Sequence, residues 1–292
     1  MARRFVVVGP GRVGTSLCLA LGSVGFKCVT LVSHRKLHAK GLRLHFPAVQ
    51  QVVSVRQIRD DFDFILLTVR DDEIRKTVGD LVRIASIDWH GKVALQTSGV
   101  IEVEALSKLR SKGASIGSLH PLSPFACKFA PKMAREIFYD FMGDKKALEL
   151  ANTIVHKLHS KVVVLKSEKD RTTLHTASVL LSNFTVIASV AAEQLIKEVV
   201  GTGSSRLLTK DLLANTVRNI NSTEGIGALT GPLVRGDAEV IKKHLKVLEN
   251  EPILLQFYKS AALLGIESLL KTRIKRTQAS KLNSIRKILE GK

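Results

Sequence analysis

The chain has 292 residues, with 45 Lys and Arg against 26 Asp and Glu and a formal net charge of +19. At roughly 100–200 residues per domain, that length predicts two domains. A content of 45% hydrophobic and 24% charged residues excludes disorder, collagen and coiled coil as the dominant state. Cys18, Cys28 and Cys127 are odd in number and lie in apolar stretches, so no disulfide framework is implied and a cytoplasmic setting is expected. The opening MARRFVVVGPGRVG has only a short apolar run before Gly and Pro, against the about 7–15 apolar residues of a signal peptide.

Arg4–Gly9 is a β-branched run ending in glycine, as a buried parallel strand should. Thr15 to Val24 follows as a helix with Leu17, Ala20, Leu21 and Val24 on one face and Gly25 closing it. Further strands are predicted at Lys27–Ser33, Gln50–Val55, Asp63–Val69, Lys92–Gly99 and Ala114–Leu122. Ile137–Gly143 and Lys161–Lys166 flank a helix at Asp144–Leu158 and extend the same sheet. Strands separated by helices make right-handed crossovers and a parallel sheet.

After Lys166 the strand signals stop. Helices are predicted over Lys169–Val200, Leu207–Asn221, Asp237–Leu248, Pro252–Leu270 and the tail. The fold class is therefore an α/β Rossmann-type domain over 1–166 followed by an all-α domain over 167–292. Thr176 to Ala192 carries no charge, at the lower limit of the roughly 17–25 residues that span a bilayer. Its Ser, Thr and Asn residues favour a buried core helix over a membrane segment. Lys271–Lys292 holds eight basic residues and one acid, Glu290. It lacks aromatic residues for base stacking, while Ile274, Leu282, Ile285 and Leu289 recur at helical spacing. A basic, solvated last helix is the plainer reading, and contact with nucleic acid stays open.

Gly9-Pro10-Gly11-Arg12-Val13-Gly14 is a G-x-G-x-x-G run placed after a strand and at the opening of a helix. Its glycines permit a tight turn, close approach of a pyrophosphate and close strand–helix packing, above the positive end of the helix dipole. Dinucleotide binding is expected. NAD enzymes usually place an acid about 20 residues on; here Val32-Ser33-His34-Arg35-Lys36 stands instead. A hydroxyl followed by an Arg–Lys pair suits the 2′-phosphate of NADP, with Arg12 near the adenine or the phosphates.

Beyond the carboxyl ends of the strands, where open α/β sheets bind ligands, Thr68, Val69 and Ser98 are candidates for the nicotinamide side. His120, at a strand's carboxyl end before Pro121, suits acid–base work, or else bonds a backbone carbonyl to hold the Pro121–Pro124 loop. His175, Ser178, Ser182, Thr185, Ser189 and Glu193 fall within about 80° on a helical wheel. Asn183 lies off that stripe among Val179, Val186 and Ile187, as a buried amide needing partners. Arg235 is suited to a substrate carboxylate or to phosphate, with Thr230 beside it, or else to a structural pair with Asp237. No histidine–acid or C-x-x-C pattern points to a metal.

Three segments, Ser118–Phe125, His175–Asn183 and Ala228–Asp237 with His244, resemble an uncharacterised family that pairs a Rossmann-like domain with an α-helical domain of unknown function. The first domain is also similar to those of ketopantoate reductase, pyrroline-5-carboxylate reductase and the 6-phosphogluconate dehydrogenase group. In ketopantoate reductases the long helix reads Lys-x₃-Asn-x₃-Asn; His175, Val179 and Asn183 stand at that spacing here. The resemblance implies His175 as a proton donor, Asn183 as a substrate anchor and a homodimer built on the helical domain. The expectation is an NADPH-dependent oxidoreductase acting on a ketone or imine of a small anionic substrate. A non-catalytic NADP sensor or scaffold is the alternative.

Overall fold

The computed structural model describes residues 2–33, 46, 48–272 and 275–291. Arg35 and Lys36, the predicted 2′-phosphate pair, and Ile274 lie outside the described residues. Contacts group the chain into two compact units, Met1–Asn183 and Phe184–Lys292. The division falls within the long helix, so the turns that sequence alone assigns to the start of the second domain group with the first unit.

The first unit carries an eight-stranded sheet: β1 (Arg4–Val8), β2 (Lys27–Val32), β3 (Gln50–Val52), β4 (Phe64–Leu67), β5 (Val93–Gln96), β6 (Ser115–Pro121), β7 (Phe138–Gly143) and β8 (Lys161–Val164). Their order in the sheet is β3-β2-β1-β4-β5-β6-β7-β8. Two apolar layers cover its faces. Phe5, Val7, Leu31, Phe64 and Leu66 turn to one layer, Val6, Val8, Ile65 and Leu67 to the other, as the two-residue period of a strand buried on both sides requires. Among the described residues the helices of this unit are α1 (Arg12–Ser23), α2 (Asp71–Leu81), α3 (Ser107–Arg110), α4 (Lys145–Lys157) and α5 (Glu168–Val179).

The expected all-parallel sheet has one exception. β7 runs antiparallel to β6 and parallel to β8. The chain reaches β7 through residues 122–137, which contain no crossover helix, only a 3₁₀ turn at Pro131–Ala134. Nothing there carries the chain back to the other edge, as a parallel connection needs.

A π turn at Leu180–Phe184 follows α5. The second unit is helical: α6 (Thr185–Val200), α7 (Thr202–Ser222), α8 (Pro232–Arg235), α9 (Ala238–Val247), α10 (Pro252–Leu270) and α11 (Arg276–Glu290). Ile241, Ile266, Leu282, Ile285 and Leu289 form its core. The basic tail thus buries its apolar stripe there and exposes Lys275, Arg276, Lys281 and Lys287.

The expectation of a buried core helix fails for the long helix. Among the described residues, none of the apolar window within Glu168–Val200 is buried. Ser178, Ser182, Ser189 and Glu193 are the half-buried side, while Leu180, Leu181, Phe184, Val186, Ile187 and Val190 are exposed. Ser178, Ser182 and Ser189 satisfy their hydroxyls on carbonyls one turn back, so the polar stripe needs no solvent. Pro252–Leu270 is also long and apolar enough to span a membrane, with 17% of its window buried.

Candidate active site

The three glycines of the Gly9–Gly14 loop differ in what a side chain would meet. Gly9 sits at φ +86° with Val69 backbone atoms about where a β-carbon would be, the nearest 2.7 Å away. A β-carbon on Gly14 would lie 2.3 Å from Thr68 Oγ1 and 2.7 Å from the Gly9 carbonyl, so α1 packs on β4 only as glycine. Gly11 differs: its missing β-carbon would meet one atom, at 3.8 Å, and otherwise faces open space. That opening, beside first-turn N–H groups which have no place in the helical ladder, is a cradle that fits a pyrophosphate.

A cleft of about 600 Å³ opens above this loop. Gly9, Pro10, Gly11, Ser33, Thr68 and Val69 line it. Thr68 turns its hydroxyl inward, donating to the carbonyls of Gly9 (2.7 Å) and Val8 (3.1 Å), so its part is to hold the loop. Arg12 and Val13 do not line the cleft: Arg12 is exposed and Val13 packs against the core.

Ser98 also departs from its assignment. It does not line the cleft; its hydroxyl accepts from the backbone N–H groups of Val100 and Ile101 at 3.2 and 3.0 Å. It shapes the turn after β5, bringing Gly99 against two imidazoles. A β-carbon on Gly99 would approach His175 Nδ1 to 2.4 Å and His120 Cε1 to 2.9 Å. The rings of His120 and His175 stand 5.5 Å apart, centroid to centroid.

The residue that sequence reading missed is Asp140. It lies directly across the β6–β7 ladder from His120, is 1% exposed, and accepts from His120 Nδ1 at 2.7 Å. The backbone carbonyl considered as the alternative partner for His120 is replaced by a buried carboxylate. Its Oδ1 has no hydrogen-bond partner among the described residues. An ionised carboxylate is acceptor-only, so the Nδ1 of His120 carries hydrogen and Nε2 is left for chemistry. The signal was present in Phe138-Tyr139-Asp140-Phe141: an acid among aromatics in a buried strand needs a partner.

Arg171, fully buried, places the second histidine. Its guanidinium donates to the carbonyls of Ser98 and Ile101 and to Ser118 Oγ at 2.7 Å, with Glu168 at 3.4 Å. It ties the start of α5 to the carboxyl ends of β5 and β6, and four residues on, on the same helix face, His175 meets Gly99. Burial, and then the neighbouring His120, hold the His175 imidazole below its ordinary pKa. Its Nδ1 is buried without a hydrogen-bond partner among the described residues. That favours the neutral form of the His175 ring.

Asn183 is exposed rather than buried, and Ser182 Oγ donates to its Oδ1 at 2.8 Å. Leu180, Leu181 and Phe184 beside it are exposed as well. Thr230 and Arg235 belong to the second unit, where both are exposed. Asp237 caps α9 through Val240 N–H at 3.4 Å, and among the described residues no ion pair joins it to Arg235.

Two domain families match the chain: a Rossmann-like domain over residues 2–121 and a domain of unknown function, DUF2520, over 137–264. The second begins at β7, so it includes the Asp140 strand. No curated protein sequence matches the chain. Among solved structures, the chain is similar to a provisionally assigned NADP oxidoreductase from Bacteroides fragilis: 20% identity, TM-score 0.74, covering 89% of this chain and 96% of that one. Pyrroline carboxylate reductase from Plasmodium falciparum, with NADP bound, is 13% identical at TM-score 0.60 over 97% and 98% of the two chains. An imine reductase from Myxococcus stipitatus in complex with NADP+ is 15% identical at TM-score 0.60 over 99% and 94%. At these identities the likeness is one of fold.

Proposed function

We propose that this chain, a Rossmann-like domain joined to a DUF2520 domain, binds NADP and uses NADPH to reduce a ketone or imine of a small anionic substrate. The observation that carries this reading is the alignment of the glycine cleft with the Asp140–His120 pair along one sheet edge. β1, β4, β5 and β6 are parallel neighbours, so their carboxyl ends share an edge. Strands are about 4.8 Å apart, which puts His120 about 10 Å along that edge from Val69, within reach of a dinucleotide whose pyrophosphate lies on Gly11. Fold neighbours that hold NADP support the same cofactor.

Gly9, Gly11 and the first turn of α1 would hold the pyrophosphate, Ser33 with Arg35 and Lys36 the 2′-phosphate, and Val69 one face of the nicotinamide. The cofactor supplies hydride. The protein's own part is proton delivery. His120, steadied by the Asp140 carboxylate, gives a proton from Nε2 to the oxygen or nitrogen that gains charge, while His175 and Gly99 bound the space beside it. Arg235 would meet the substrate's anionic group. Three unpaired cysteines suit the cytoplasm.

Calorimetric titration with NADPH and NADH tests the reading. NADPH should bind far more tightly, and alanines at Arg35 and Lys36 should remove most of that preference. Binding of neither nucleotide would overturn it. Tight NADPH binding with no turnover across a panel of keto acids and cyclic imines would favour the sensor reading.

We further infer that a second copy of the chain covers α6 and α7, whose only buried residue is Ser205. Val186, Ile187, Val190, Leu207, Leu212, Val217 and Ile220 are exposed there. Arg206, Lys210, Asp211 and Arg218 interrupt the apolar surface of α7, and charges at that density are costly in lipid. An isologous dimer buries the same patch twice. Light scattering should give twice the 32.0 kDa chain mass, and Ile187→Glu with Leu212→Glu should halve it; a monomeric wild type would exclude the dimer.

A further inference from the structure

We propose that residues 127–130 form a strap over the phosphate cleft and that Lys128 supplies a cation to the pyrophosphate of the bound dinucleotide. This rests on the dinucleotide reading above. Antiparallel neighbours need only a two-residue turn, yet β6 and β7 are joined by the long excursion 122–137. The excursion runs to the first turn of α1. There Phe129 N–H donates to Thr15 Oγ1 at 3.2 Å and Ala130 N–H to Ser16 Oγ at 3.1 Å. Thr15 and Ser16 are fully buried, and Thr15 Oγ1 itself donates to the Gly11 carbonyl at 2.6 Å. One hydroxyl thus links the strap to the middle glycine of the phosphate loop. Behind it the segment is fixed by buried Tyr139, whose hydroxyl donates to the Ala134 carbonyl at 2.7 Å.

The strap's own backbone is under constraint. Phe129 holds φ +57°, a left-handed conformation that is a genuine outlier for a bulky residue, and such residues cluster at ligand clamps. Phe129 is 37% exposed rather than packed in the core. Lys128 and Phe129 line the same cleft as Gly9, Pro10 and Gly11.

Charge points the same way. Among the described residues the other cleft cations, Arg70 and Lys76, come from the β4–α2 side with Glu73 and Asp80 among them, and Arg70 is bonded to Asp72. Arg12, in the loop itself, does not reach the cleft. Lys128 enters from the α1 side and has no ion-pair partner among the described residues.

Pyrophosphate is common to both nicotinamide dinucleotides. Lys128→Ala should therefore weaken NADPH and NADH by the same factor, about tenfold for one charge-assisted contact, with a shallower salt dependence. Cys127 gives a readout independent of turnover: it is exposed, whereas Cys18 and Cys28 are buried. Saturating NADPH should slow its modification by a thiol reagent about tenfold in the wild type, in proportion to site occupancy. Unchanged affinities in the variant, loss of NADPH affinity alone, or thiol labelling indifferent to bound NADPH would each overturn the strap while leaving dinucleotide binding in place. A wild type that binds neither nucleotide would remove the dinucleotide reading, and the strap with it. Lys128 is exposed, so an unchanged melting temperature should accompany the change in affinity.

Discussion

Alanine at Gly14 should abolish measurable NADPH binding and lower the melting temperature together, whereas alanine at Gly11 should weaken binding alone. At Gly14 the new methyl would lie 2.3 Å from Thr68 Oγ1 and 2.7 Å from the Gly9 carbonyl, and one of those two atoms is backbone. Overpacking of this kind costs about 1–3 kcal/mol, or roughly 2–4 °C per kcal/mol in a chain of this size. The carbonyl it displaces belongs to the first glycine of the loop, and a shift of that order in a positioning element costs about a hundredfold. At Gly11 the methyl meets only one atom, at 3.8 Å; it occupies the ligand's space and strains nothing. Thr68→Ala should restore part of the stability lost at Gly14 by removing the closest contact, leaving the carbonyl clash. Calorimetry and thermal denaturation of the three variants decide this. NADPH affinity unchanged by Gly14→Ala would mean the loop is only a strand–helix turn.

Those glycines were legible in the sequence because their demands are local: a positive φ, a close packing, an open cradle, each set by neighbours within a strand–loop–helix unit. The buried strands were legible for the same reason, as apolar runs flanked by glycine. The reversal of β7 was not, because direction depends on where an irregular connection leads, and residues 122–137 carry no periodicity. With that reversal the partner of His120 was also lost. A register slip of one residue would turn Asp140 to the opposite face, so only the paired ladder shows the two side by side. Arg171 sits in the polar stretch Glu168-Lys169-Asp170-Arg171, which reads as a solvated helix start, and burial of its guanidinium follows from carbonyls far away in sequence. Asn183 was misplaced by periodicity itself. The wheel puts it among valine and isoleucine, but Val186 and Ile187 are themselves exposed.

Asp140→Asn should lower turnover, on whichever substrate the screen yields, by about 10²–10⁴, the span of general acid–base catalysis, while NADPH affinity stays as in the wild type. The substitution keeps the shape of a side chain that is 1% exposed and changes what it offers His120. A carboxylate can only accept, whereas an amide can present N–H to Nδ1, which then carries no hydrogen; Nε2 keeps its hydrogen but in a neutral ring with no counter-charge behind it, a far weaker proton donor. Stability should not fall in step, because the wild-type carboxylate has one oxygen buried without a partner among the described residues and the variant removes a buried charge. His120→Asn should lose as much, and the double variant no more than either single one, since residues that act as a unit are non-additive. A merely structural Asp140 would give the opposite pattern, with melting temperature and NADPH affinity falling together and the pH–rate profile keeping its shape. A readout free of substrate is the His120 Nδ1 proton resonance, which the 2.7 Å bond to the carboxylate should shift downfield in the wild type and Asp140→Asn should abolish. Additive losses in the double variant, or full turnover in Asp140→Asn, would show that the proton comes from another group.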